Sequence, residues 1–204
     1  MIPTKIILSS NQRILEIAIA KYSLEKINNE NDIVLYETII LNWEEKEKLV
    51  FIKIEKNIDL IFSHLEENYI YSQIINIDES KIFLNFELKS GDIVIPNTFT
   101  GLNDENKAFF VDSVVWENYD LVKFGLILNG ICLSVWNKNL DDLEELKEDF
   151  YADIIDINSY DLIGKNTKLN NDSIFSAIKI VIWDDEEFLD EYYINALNVL
   201  DLIY

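Results

Sequence analysis

The sequence predicts a single α/β domain whose central sheet is mixed, mostly parallel and flanked by helices. Two observations carry that prediction. Short apolar runs alternate with amphipathic segments at both ends of the chain, as strands and their covering helices do. Between them several β-branched and aromatic runs follow one another directly, which adds antiparallel neighbours to a parallel frame. The 204 residues, 49% of them hydrophobic, suffice for one core. No linker rich in Pro, Gly or Ser and no internal repeat divides them, so residues 1–204 read as one domain.

Taken in order, Lys5–Ser9 is the first strand. Ser10 or Asn11 caps a helix with Ile14, Ile17 and Ala18 on one face and Lys21 and Glu25 outside. Beyond the polar Asn28–Asp32, the runs Ile33–Trp43 and Leu49–Ile54 flank charged Glu44–Lys48 and predict a hairpin. Asn57 caps Ile58–Glu67, whose Ile58, Ile61, Phe62 and Leu65 form an apolar stripe. Strands follow at Gln73–Ile77, Ile93–Pro96, Ala108–Trp116 and Phe124–Leu128, the last running into Gly130. Leu140–Phe150 predicts an acidic amphipathic helix; Asn158 caps a shorter one over Ser159–Ile163, which Gly164 ends. Phe175–Trp183 is a long β-branched strand. Glu186–Leu202 is the last helix, with Leu189, Tyr192 or Tyr193, Ala196, Leu197 and Leu200 inward.

Lys and Arg number 17 against 38 Asp and Glu, a net charge of -21. That field repels phosphate backbones and anionic membranes, so neither nucleic acid nor membrane is expected as a partner. It suits a solvated surface or a basic protein partner. No run approaches the roughly 18 apolar residues of a membrane span. Met1–Ile6 lacks the charged and apolar regions of a signal peptide. Cys132, the single cysteine, lies in the apolar run Ile127–Leu133 and reads as a buried thiol. A cytoplasmic protein is expected.

Metal and cofactor chemistry has little to build on. His64 is the single histidine, and the acidic clusters Asp141-Asp142, Glu144-Glu145 and Asp184–Glu187 lack the spacing of a calcium loop. No metal and no cofactor are therefore expected. All five glycines lie at Gly91 or later, so no glycine loop follows an early strand to wrap a phosphate. Arg13, the single arginine, falls in the first helix and reads as a surface residue.

Four segments occur in order along the chain: Gly91-Asp-Ile-Val-Ile-Pro96, Gly125-Leu-Ile-Leu-Asn-Gly130, Asp153-Ile-Ile-Asp-Ile-Asn-Ser-Tyr160 and Lys179-Ile-Val-Ile-Trp-Asp184. With the first strand and last helix they resemble the purine nucleoside phosphorylase and methylthioadenosine/adenosylhomocysteine nucleosidase superfamily over nearly the whole chain. The resemblance implies a purine nucleoside phosphorylase-like fold, a purine nucleoside ligand and a homodimer. It further implies that Leu133, Ile157, Asn158 and Trp183 contact the nucleoside and that Asp184 is the catalytic acid at the purine N7.

The departures from that pattern are chemical. Ser9–Gln12 stands where the family has an acidic residue that positions the attacking water. Ile54–Asn57 and Ile77–Ser80 stand where it has glycine-containing turns. Asn158 replaces the ribose-binding glutamate, and Trp183 a serine that orients the aspartate. With no phosphate cradle, hydrolysis is implied rather than phosphorolysis. Losing a general base costs about 10²–10⁴ in rate, so N-glycosidic bond hydrolysis is expected to be weak or lost. Asp184–Glu187 also fits the acidic first turn of a helix, where negative charge meets the helix dipole; both readings stand. Two functions without catalysis fit too: a relative kept for nucleoside binding or assembly, and an acidic immunity or inhibitor protein that neutralises a basic toxin.

Overall fold

A computed structural model describes residues 3–27, 33–42, 45–55, 57–85, 87–101, 108–111, 126–135, 150–169, 173–182 and 189–202. The fold is α/β. The chain packs as two compact units, Met1–Asp78 with Lys165–Phe175 and Glu79–Gly164 with Ser176–Tyr204.

The first unit is built on β1 (Thr4–Ser9), buried at every position. Burying each of Ile6, Ile7 and Leu8 contributes about 1.5–3 kcal/mol, which makes this strand the unit's core. β1 lies parallel to β4 (Glu45–Lys53) on one side and to β5 (Gln73–Ile82) on the other. β3 (Leu35–Asn42) joins β4 as the expected antiparallel hairpin, and short β2 (Glu25–Ile27) joins β3. α1 (Gln12–Tyr22) begins at Asn11, whose side chain accepts from the amides of Arg13 and Ile14 at 2.7 and 3.1 Å. It buries Ile14, Leu15 and Ala18. α2 (Ile58–Asn68) is capped by Asn57 through the Leu60 amide at 3.1 Å and buries Ile61, Phe62, His64 and Leu65. His64 is thus a packing residue, with Nδ1 3.2 Å from the Asn68 amide nitrogen and its ring edge-on to Tyr69. Arg13 pairs with Glu16 on the exposed side of α1, at 2.9 Å.

In the second unit the strand order is β10-β6-β8-β9-β5, and β10 also pairs with β5, which closes these strands into a ring. The members are β6 (Ile93–Gly101), β8 (Leu126–Ser134), β9 (Ile154–Asp156), β10 (Ile174–Val181) and the second half of β5. β8 is parallel to β6 and β9, while β10 is antiparallel to β6 and β9 to β5. β7 (Ala108–Phe110) pairs with the end of β6. α3 (Ser159–Leu169) follows β9, and α4 (Asp190–Leu200) buries Tyr193, Ala196, Leu197, Val199 and Leu200.

Several boundaries differ from the sequence expectation: β2 is not among the expected strands, β4 begins at Glu45 within the expected charged connection, β6 runs on to Gly101 and β7 ends at Phe110. Three further differences have a visible cause. β5 does not stop at Ile77, because its polar continuation finds buried partners. Ser80 Oγ donates to the Ile180 carbonyl at 3.4 Å, and the Ser80 carbonyl accepts from the Ile182 amide at 2.9 Å. Gly164 does not end α3: Gly91 is the described glycine with positive φ, and a Cβ on Gly164 would sit 3.4 Å from the Phe109 ring. Gly130 lies inside β8, where a Cβ would come within 2.7 Å of Val94 Cγ1. The expected helix over 140–150 falls almost wholly outside the described residues. Among the described residues, no helix is long and apolar enough to cross a membrane.

Candidate functional site

A buried carboxylate must be paired or hydrogen-bonded to persist, so buried aspartates locate the polar organisation of a fold. Among the described residues two aspartates are buried, Asp78 and Asp156. Asp78 answers the end of β1, and Asp156 ends β9. Carboxyl ends of parallel strands are where open α/β sheets bind ligands.

Asp78 lies under the turn from β1 into α1. Its Oδ1 accepts from Ser9 Oγ at 3.1 Å, the Ser10 amide at 2.7 Å, Ser10 Oγ at 2.9 Å and the Asn11 amide at 3.2 Å. Its Oδ2 accepts from Asn76 Nδ2 at 2.9 Å, and the same amide group donates to the Leu8 carbonyl at 3.1 Å. A carboxylate therefore does stand at Ser9–Gln12, supplied by another strand. Its acceptor capacity goes to holding the turn, so activating a water would require it to release these donors. The signal for it is periodic: Asn76, Asp78 and Ser80 recur at every second residue, one face of a strand.

Asp156 is the centre of the second cluster. Lys179 Nζ lies 2.7 Å from Oδ2, with both side chains buried. Ser134 Oγ donates to Oδ1; Ser159 Oγ donates to Oδ2, as does the Ser159 amide at 3.3 Å. Burial alone pushes this carboxyl upward. The Lys179 charge and hydrogen bond, with the two serine hydroxyls, outweigh burial and hold the group below the usual carboxylate value. Burial pushes the nearby Cys132 thiol well above its usual value, and the Asp156 charge adds to that against the opposing Lys179. Such a thiol is inert. Lys179 is the legible half of this cluster, a single charge in the run Ile174–Ile182; its partner is not marked in the sequence.

Of the residues expected to contact a nucleoside, Asn158 is 1% exposed and Ile157 46% exposed, in the turn between β9 and α3. The Asn158 carbonyl accepts the Leu162 amide at 3.1 Å, which places Asn158 at the head of α3, where Asp156 and Ser134 accept the Ser159 and Tyr160 amides. Leu133 is wholly buried on β8, opposite Ile155 and within a cluster containing Phe83, Val135 and Ala152. Trp183 and Asp184 lie outside the described residues. No group of His, Cys, Asp and Glu suited to a metal ion occurs among the described residues.

No family model and no curated protein matches the sequence. Solved structures do match the fold. The 5'-methylthioadenosine/S-adenosylhomocysteine nucleosidase of Campylobacter jejuni superposes with a TM-score of 0.73 at 16% identity, over 98% of this chain and 95% of that one. The corresponding Helicobacter pylori nucleosidase, solved with butyl-thio-DADMe-Immucillin-A, gives 0.76 at 10% identity over 98% and 97%. Futalosine hydrolase from Helicobacter pylori gives 0.73 at 10% identity over 99% and 98%. The chain thus has a nucleosidase-like fold, as the four ordered segments imply.

Proposed function

We propose that this chain is a divergent purine nucleosidase-like protein that binds a purine nucleoside and hydrolyses its N-glycosidic bond slowly or not at all. The observation that carries the reading is the fate of Asp78. In a fold shared with nucleosidases and a futalosine hydrolase, the carboxylate beneath Ser9–Asn11 is committed to the turn's own hydrogen bonds.

In this reading Asn158 and Ile157 contact the ribose, and Leu133 and Trp183 line the nucleoside site. The Asp184 carboxyl gives its proton to N7 as the bond from the purine to C1' breaks. Water adds to C1' and loses its proton to solvent. Without a free carboxylate to take that proton, the rate falls by about 10²–10⁴ relative to a complete site. The protein is proposed to be a cytoplasmic homodimer, with no nucleic-acid or membrane partner.

Incubation with methylthioadenosine, adenosylhomocysteine, futalosine, inosine and adenosine, with chromatography for free base, tests the reading. Slow release that falls at least about 10²-fold in Asp184→Asn is the expected result. Release at an unchanged rate in that variant removes Asp184 from the mechanism. Calorimetry separates binding without turnover from no binding at all. The net charge of -21 favours one second reading, an acidic immunity or inhibitor protein. Salt-sensitive capture of a basic protein, with no heat on adding any nucleoside, is the result that selects it.

A further inference from the structure

Lys179 is the only charge between Ile174 and Ile182, and its side chain is wholly buried. A lone ammonium in such a place destabilises the fold unless a carboxylate meets it. Asp156 meets it from β9, which is not a sheet neighbour of β10, so the pair spans the interior of the strand ring. Neutralisation is only part of what the carboxylate does. It accepts the Ser159 amide at 3.3 Å and the Ser159 hydroxyl, and it accepts Ser134 Oγ. Ser134 Oγ in turn accepts the Tyr160 amide at 2.9 Å.

The first amides of α3 are thus answered by one carboxylate, directly at Ser159 and through Ser134 at Tyr160. These are donors that a helix start leaves without intrahelical partners. Ile157 and Asn158 lie between Asp156 and Ser159, so the same group ties the chain on both sides of that turn. We infer that the Asp156–Lys179 pair is the positioning element of the Ile157–Asn158 turn. It keeps Asn158 inward and Ile157 outward, and so sets the shape offered to a nucleoside's ribose. This last step rests on the nucleoside reading above. Neither residue is catalytic: both side chains are inaccessible and act through the turn.

The test uses the full chain carrying Asp156→Asn with Lys179→Met, which removes both charges at nearly constant volume. Hydrogen exchange is read at the Ser159 and Tyr160 amides against the β1 amides of Ile6 and Leu8, and methylthioadenosine affinity by calorimetry. The expected result is a folded protein with β1 protection intact. Protection at Ser159 and Tyr160 falls about tenfold and affinity weakens about tenfold, because an amide at 156 turns a donor toward one serine. Lys179→Arg, which keeps the pair, retains wild-type protection. Unchanged exchange at both amides in the folded double variant overturns the inference. Should the double variant not fold, Ser134→Ala cuts one link, and unchanged protection at Tyr160 alone then overturns it. If the unaltered protein binds no nucleoside, the nucleoside reading falls while the exchange result still decides the positioning role.

Discussion

Asp78 shows how much a single side chain can organise. Four donors end on its Oδ1 and the Asn76 amide on its Oδ2, within a site that is 3% exposed. Replacing the acid by its amide keeps the volume but turns a donor toward other donors. Asp78→Asn is expected to destabilise the protein by about 2–4 kcal/mol, read from urea unfolding. Glu66→Gln, at an exposed position of α2, is the control and stays within about 0.5 kcal/mol. An equal effect at both positions shows that the Asp78 bonds do not hold the turn. The sequence reading ends the strand at Ile77 and sets Ile77–Ser80 against a glycine-containing turn of the family it resembles. The partner of Asp78, Ser9–Asn11, lies 67 or more residues away, and local composition carries no record of it.

Glycine at a strand entry acts at the scale of the element. Gly91 has φ +88, and its amide donates to the Val181 carbonyl at 2.9 Å, joining the start of β6 to the end of β10. A Cβ there would lie 2.5 Å from the Tyr192 ring, so α4 packs where a side chain would otherwise stand. Gly91→Ala is expected to cost about 2–3 kcal/mol, from the left-handed backbone together with the overlap. In a Tyr192→Ala background the overlap disappears and the backbone term remains, so the cost drops by about 1 kcal/mol. Equal costs in both backgrounds would rule out the close approach. The Gly91 entry was legible from the Gly-Asp-Ile-Val pattern, whereas Gly164 and Gly130 misread as element ends. Glycine ends a helix only where φ turns positive; elsewhere it marks close packing, and the neighbours Phe109 and Val94 are distant in sequence.

Over the whole molecule, charge and the buried pair act in opposite senses as pH falls. Acidification from neutral toward the sequence pI near 4.2 relieves the self-repulsion of a chain at -21. The Asp156 carboxyl, held low in the folded state, contributes stability that is fully present above its unfolded value of about 3.9. That contribution is lost as pH falls through the depressed folded value. Subtracting the urea midpoint of the Asp156→Asn, Lys179→Met variant from that of the unaltered protein cancels most of the shared repulsion. The difference is expected to shift against the unaltered protein below about pH 4 and to be flat from pH 5 to 7. A flat difference throughout would mean that Asp156 is not held low by its partners.

The class of fold, the positions of most strands and helices, the cap at Asn57 and a cap at Ser10 or Asn11 were legible in the chain; the structure gives the last to Asn11. Those follow from apolar periodicity and from side chains that bond within three residues of themselves, so the information is local. The sequence also pointed to Asn158 at the head of α3 and, through four ordered segments, to a nucleosidase-like arrangement. The roles of the buried charges emerge from the packed strands. Their packing assigned Asp78 to the turn at Ser9–Asn11 and brought Lys179 of β10 to Asp156 of β9 across the strand ring. A buried charge requires a partner but does not specify which one, and strands distant along the chain are brought together by sheet topology alone.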